Sequence, residues 1–282
     1  MKCNFHTHSD FCDGHASVAA MAQAAYQFGF ASLGFSSHAP LPFFAEWNMT
    51  TQRLPDYLAS IKRLADDYRG RMEILCGLEI DFIEHCWGVD QPLFRQLQLD
   101  YRLLAIHYIY HPDLPPEQYV AVDMADDQLD AYIARCYGGK PRRLVEKYYQ
   151  AVTAGVEAGG FDILAHLDLI KKNNRGGRLF DEGSAWYRRA AMTAVEALAG
   201  SGIIVEINTG GLARGKTDTV YPAPWILAEL QQRDVQICIN ADAHRPEHLT
   251  LHRAAGLEAA AAAGYRELEI PGPSGRRSIP LA

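Results

Sequence analysis

Nine side chains of metal-ligand type stand where apolar runs of this chain end: His6, His8, Asp13, His38, Glu79, His107, His166, Asp242 and His244. His6-Thr7-His8 has the two-residue spacing that puts both imidazoles on one side of an extended chain, so that both can reach one ion. An isolated pair of this kind is more often a surface accident. Asp242-Ala243-His244 repeats the geometry, however, with a carboxylate able to bridge two ions. His38, His107 and His166 could each be a hydrogen-bonded core histidine, but that reading must be invoked separately at every strand end. Glu79 closes an apolar run in which an unpaired carboxylate is costly to bury, so a metal or another cation must compensate it. Asp13 could equally initiate a turn with Gly14, and His15 is its neighbouring rival. Six histidines and three carboxylates exceed the needs of one tetrahedral zinc and suit two or three ions sharing carboxylates. Such a cluster can acidify a water and offset charge on phosphoryl oxygens, which is hydrolytic chemistry without a covalent enzyme intermediate.

Positioning these residues together requires many strands ending on one face. Short β-like runs at Lys2–His6, Ala31–Phe35, Met72–Glu79, Tyr101–Ile106, Phe161–Ala165, Ile203–Ile207 and Val235–Ile239 alternate with helical stretches. The helical stretches include one capped by Ser17 and stopped at Gly29, others at Tyr57–Tyr68, Arg142–Ala158 and Ser184–Ala199, one near Trp225, and an Ala-rich helix over Pro246–Ala263. A weak eighth strand at Arg266–Ile270 could close the set. Residues 109–140 read as a long polar loop with one short helix around Ala125–Ala134, of the kind that forms lids. The pattern predicts one α/β domain over residues 1–282, a barrel of seven or eight strands whose ligand-bearing strand ends share one face.

Composition is compatible with that. The 282 residues are 48% hydrophobic and 22% charged, with a formal charge of −7, so attraction to nucleic acid or to an anionic membrane is not expected. The opening MKCNFHTHSD lacks an apolar signal segment and no run is long enough to span a bilayer, which predicts a cytoplasmic protein with its six cysteines reduced. An anionic small substrate then needs local cations, and Arg142, Arg143, Lys171, Lys172 and Arg214 are on offer. Lys171 and Arg214 are preferred because their loops leave the ligand-bearing face, with Arg142 next. Phe43, Phe44 and Trp47, after His38, could cover an imidazole or simply pack their loop.

The segments HTHSDFCDG, GFSSHAPLPF, CGLEID, LLAIHYI, GGKPRRLVEKYY, DILAHLDLIKKNN, EINTGG and NADAH resemble, in order, the polymerase and histidinol phosphatase (PHP) family, specifically its histidinol-phosphatase branch. The resemblance implies a distorted (β/α)7 TIM-like barrel, two to three divalent ions (zinc, manganese or iron), and hydrolysis of a phosphate monoester, L-histidinol phosphate, in histidine biosynthesis. By position it implies that His6, His8, Glu79 and Asp242 hold one ion, that Glu79, His107 and His166 hold a second, and that Asp13, His38 and His244 hold a third. Glu79 would bridge, and Glu79, Asp242 and His244 would form the catalytic centre. Asp13 is preferred over His15 because it directly precedes the glycine turn. Three rivals share parts of the pattern: amidohydrolase-type enzymes, PHP domains acting on nucleic-acid ends or other phosphate esters, and a non-catalytic metal-binding module. Amidohydrolases would lack His38 and the Asp-x-His pair, and a nuclease would be expected to show a basic stripe.

Overall fold

Strands that run apolar on both faces must be covered on both, and here the covering comes from the strands themselves and from the helices between them. The computed structural model describes residues 1–273 and 275–281. Seven strands, β1 (Lys2–Asn4), β2 (Phe30–Phe35), β3 (Glu73–Asp81), β4 (Tyr101–Ala105), β5 (Ile163–Leu164), β6 (Ile204–Asn208) and β7 (Ile237–Asn240), lie in sequence order with all neighbours parallel. The helices are α1 (Val18–Gln27), α2 (Leu54–Asp67), α3 (Pro92–Arg95), α4 (Asp126–Tyr137), α5 (Pro141–Ala158), α6 (Ala185–Leu198), α7 (Gly210–Ala213), α8 (Pro224–Gln231) and α9 (Arg253–Ala262). Ser17 caps α1 as expected, its hydroxyl accepting from the Ala20 amide. No described helix is long and apolar enough to cross a membrane.

The sheet closes on itself between its first and last strands. Thr7 bridges Ala243 in parallel, with the His8 amide donating to the Ala243 carbonyl at 2.9 Å and the Ala243 amide to the His6 carbonyl at 3.1 Å. Below that bridge two asparagines stand in for backbone. Asn4 Oδ1 accepts from the Ala241 amide at 2.6 Å and Asn240 Oδ1 from the Phe5 amide at 2.7 Å. Inside the barrel Tyr101 donates to the carbonyls of Phe5 and Phe35, and a Cβ on Gly34 or Gly77 would lie within 2.5 Å of its ring or hydroxyl, which is why those strands carry glycine there. The result is a distorted seven-stranded (β/α) barrel.

Two expectations need correction. The segment at Arg266–Ile270 is not an eighth barrel strand: β8 (Glu267–Ile270) pairs antiparallel with β9 (Arg277–Pro280) as a separate hairpin. The barrel has no gap for it, because β1 and β7 already join. The Ala-rich helix is also interrupted. A 3-10 turn over Pro246–Leu249 is separated from α9 by His252, whose φ of 58° cannot continue a right-handed helix.

Candidate metal centre

Side chains alternate along a strand, so residues two apart share a side. In β3 this pairs Glu79 with Asp81, in β6 Glu206 with Asn208, and past β7 it pairs Asp242 with His244. These residues, with His6, His8, His38, His107 and His166, converge at the C-terminal ends of the strands, the end of such barrels that carries active sites. Two of them sit in strained backbone: φ is 25° at His166 and 48° at Asp242, the left-handed region that non-glycine residues avoid unless the surroundings impose it. Asp13 is aimed by a tight turn in which Gly14 lies against Ser9, and a Cβ there would come within 2.4 Å of the Ser9 backbone.

Glu79 is the hub. Its Oε2 lies 2.9 Å from His38 Nδ1, 3.2 Å from His6 Nε2 and 3.5 Å from His8 Nε2, while its Oε1 lies 2.9 Å from His166 Nε2 and 3.7 Å from His107 Nε2. Asp242 Oδ1 is 3.2 Å from His8 Nε2, and Asp13 Oδ2 is 3.1 Å from His244 Nε2. Four groupings bring ligand atoms within 4.8 Å of one another: His8, Asp13, His38 and His244; His6, Glu79 and His166; His6, His8 and Asp242; His38, Glu79 and His107. All nine expected ligands therefore meet. Their partition differs from that implied by the resemblance, since His38 faces Glu79 as well as Asp13 and His8 also faces the third group. Asp13 rather than His15 joins a group; His15 lines the cavity and donates its amide to the His244 carbonyl.

The electrostatics demand cations. Glu79, Asp81, Glu206 and Asp242 are all buried, yet of these four only Asp242 contacts a permanent cation, through Arg214 at 2.8 Å. His6 Nε2, His8 Nε2, His38 Nδ1, Glu79 Oε2 and Asp13 Oδ1 are buried without a protein hydrogen-bond partner, which a folded protein tolerates poorly unless another group satisfies them. A donor set of imidazoles and carboxylates facing inward with free lone pairs fits divalent metal ions. In the protein alone, protons on imidazoles do part of the balancing. Burial works against charge at His38, but Glu79 and Asp13 outweigh it and raise its pKa to about 10; against the same burial, Asp81 raises His107 to about 9. His8, pressed by burial and then by His244 and His38, falls to about 3.

Behind the inward-facing candidate ligands lie residues that sequence inspection passed over. Glu206 Oε1 accepts from His6 Nδ1 at 2.7 Å and Asp81 Oδ1 from His107 Nδ1 at 2.8 Å, so each carboxylate fixes a tautomer with Nε2 turned inward. Glu206 also accepts from the His166 amide and from Asn208 and Asn240. The available signal was a carboxylate inside an apolar strand, Val205-Glu206-Ile207, which nothing apolar explains.

A cavity of about 630 Å³ opens over the cluster, lined by several of its residues together with Trp47, Asp123, Met124, Lys172, Arg214, Arg245 and His248. Arg214 reaches it and also grips the Asp242 side chain and carbonyl. Lys171 does not reach it. Its ammonium is buried against Asp168 at 3.0 Å, the Val220 carbonyl and the Tyr221 ring, because a 3-10 turn over Leu169–Asn173 rotates it inward. Lys172 faces the cavity instead, paired with Asp123 at 2.7 Å. Arg142 is likewise remote, exposed at the start of α5 with Glu146 and the Trp186 ring.

A parallel barrel with so many imidazoles and carboxylates gathered at one mouth defines a class of enzymes that work through clustered divalent ions. The chain belongs to the PHP domain family, whose profile matches residues 4–210. It is 29% identical to a Deinococcus radiodurans protein named as a probable histidinol-phosphatase, over 86% of each chain, and 25% identical to the Bacillus subtilis histidinol-phosphatase, over 86% of this chain and 94% of that one. Among solved structures, a Lactococcus lactis histidinol phosphate phosphatase complexed with zinc, L-histidinol and phosphate superimposes with a TM-score of 0.72 at 18% identity, covering 98% of both chains.

Proposed function

We propose that residues 1–282 form one functional domain, a cytoplasmic histidinol-phosphatase that hydrolyses L-histidinol phosphate to L-histidinol and phosphate. The observation that carries this is Glu79, buried amid five imidazoles with unsatisfied atoms turned toward one another, in a chain whose curated relatives bear that activity in their names. In this reading His6, His8, Glu79 and Asp242 hold one ion, Glu79, His107 and His166 a second, and Asp13, His38 and His244 a third, with His8 and His38 shared between neighbours. Zinc suits the imidazole-rich set and is the metal of the Lactococcus lactis structure.

Bound divalent ions supply the positive charge that offsets a phosphoryl dianion and lowers the pKa of water. The chain's own residues do the rest. Glu206 and Asp81 orient His6 and His107, and Arg214 fixes the Asp242 carboxylate while leaving guanidinium N–H groups in the cavity. In this reading Lys172, which lines the cavity paired with Asp123, takes the phosphate contact expected of Lys171. The experiment is phosphate release from a panel of monoesters with metal content measured alongside. Preference for L-histidinol phosphate is expected, and comparable rates on every ester would reduce the enzyme to a generalist.

A further inference from the structure

A metal-binding imidazole commonly donates its other ring N–H to an oxygen, which fixes the tautomer that turns a lone pair to the ion. His6 has Glu206 in that place, His107 has Asp81, and the Asp242 carbonyl lies 3.0 Å from His244 Nδ1. At His8 the place is taken by sulfur. Cys12 Sγ lies 3.5 Å from His8 Nδ1, while His8 Nε2 is buried without a partner and faces Asp242 Oδ1 at 3.2 Å and Glu79 Oε2 at 3.5 Å. The turn that aims Asp13 also fixes this sulfur. The amides of Cys12 and Gly14 both donate to the Ser9 carbonyl at 3.0 Å, and the Cys12 thiol lies 3.4 Å from the same oxygen. With its hydrogen directed at that carbonyl, the sulfur keeps its lone pairs for the imidazole N–H, since a thiol is both a weak donor and a weak acceptor. Asp13 Oδ1 is the rival acceptor, 3.6 Å from His8 Nδ1, but that carboxylate belongs to the outer group of candidate ligands, facing His244 at 3.1 Å and His38 at 3.9 Å.

We propose that Cys12 is a positioning residue for His8: its neutral thiol accepts from His8 Nδ1–H, holds the Nε2 lone pair toward Asp242 and Glu79, and does not itself bind the ion. The inference rests on the metal-dependent reading of the site and adds to it a residue outside the nine candidate ligands. The test reads metal binding rather than turnover. Zinc affinity is measured by competition with a chromophoric chelator in the wild type, in Cys12→Ala and in Cys12→Ser. Cys12→Ala leaves His8 Nδ1 without its partner and weakens one zinc equivalent about ten-fold, as loss of such an outer partner does, while the melting temperature of the metal-free protein stays at the wild-type value. Cys12→Ser, which keeps a donor and an acceptor, recovers most of that loss. Cobalt(II) bound to the wild type shows no sulfur-to-metal charge-transfer band. Wild-type zinc affinity in Cys12→Ala, or an equal loss in Cys12→Ser, overturns the hydrogen-bonding role. A charge-transfer band that Cys12→Ala removes overturns it too, by making Cys12 a ligand. A wild type that binds no zinc overturns the metal centre itself, and is seen before any substitution is made.

Discussion

Glu79 faces five imidazoles and Asp13 only the outer group, so the two carboxylates are not equivalent. Glu79→Gln should reduce bound metal by more than one equivalent and lower kcat more than Asp13→Asn does; elemental analysis with kinetics checks this, and equal mild effects would count against bridging. Metal and protons also compete for the same lone pairs. Without metal, carboxylates push His38 up to about 10 and His107 up to about 9 in spite of burial, which favours the protonated form of both at neutral pH. Loading must displace those protons, so zinc binding should release protons near neutrality and tighten as pH rises toward about 9. Calorimetry in two buffers of different ionisation enthalpy measures the number released; none released at neutral pH would contradict the assignment. The neighbouring lysines separate cleanly. Lys172→Met should lower kcat/KM by about 10- to 1000-fold through loss of a charge-assisted contact. Lys171→Met should instead destabilise the fold by about 3–5 kcal/mol, because it strands the buried Asp168, as denaturant unfolding would show.

Strand ends made eight of the nine clustered residues legible, Asp13 in its turn being the exception, because a run of histidines and carboxylates that each terminate an apolar stretch is hard to explain one at a time. The register of a short turn was not legible. In a 3-10 helix adjacent residues point about a third of a turn apart, and sequence alone does not say which of Lys171 and Lys172 turns inward. Glu206 and Asp81 were hidden for a different reason: their partners are the outer nitrogens of His6 and His107, and that pairing exists only once barrel closure brings the residues following β1 within reach of β6 and sets β4 beside β3. The hairpin of β8 and β9 was mistaken for barrel because local β pattern carries no information on which edge is free. The barrel interior offers its own test at this scale. Tyr101 ties β4 to the carbonyls of Phe5 and Phe35, so Tyr101→Phe should cost about 1–3 kcal/mol, read as a lower Tm. An unchanged Tm would show that the closure at Asn4 and Asn240 suffices.

At the scale of the whole molecule, the fold and the metal ions are linked, since residues from β1 to the end of β7 meet at one cluster of buried carboxylates that two or three divalent ions would neutralise. Whatever binds the native state alone stabilises it, so chelation should lower Tm and zinc should restore it. The amide-to-carbonyl and asparagine contacts that close the barrel do not involve the ligand atoms, so the metal-free chain is expected to remain folded while inactive. The direct test follows from that separation: phosphate release from L-histidinol phosphate is followed in purified protein of known metal content, then after chelation, and again after zinc is returned. The account predicts that activity disappears with the metal and returns with it at two to three equivalents. Full turnover by a folded, metal-free preparation, or none by a fully loaded one, would contradict it.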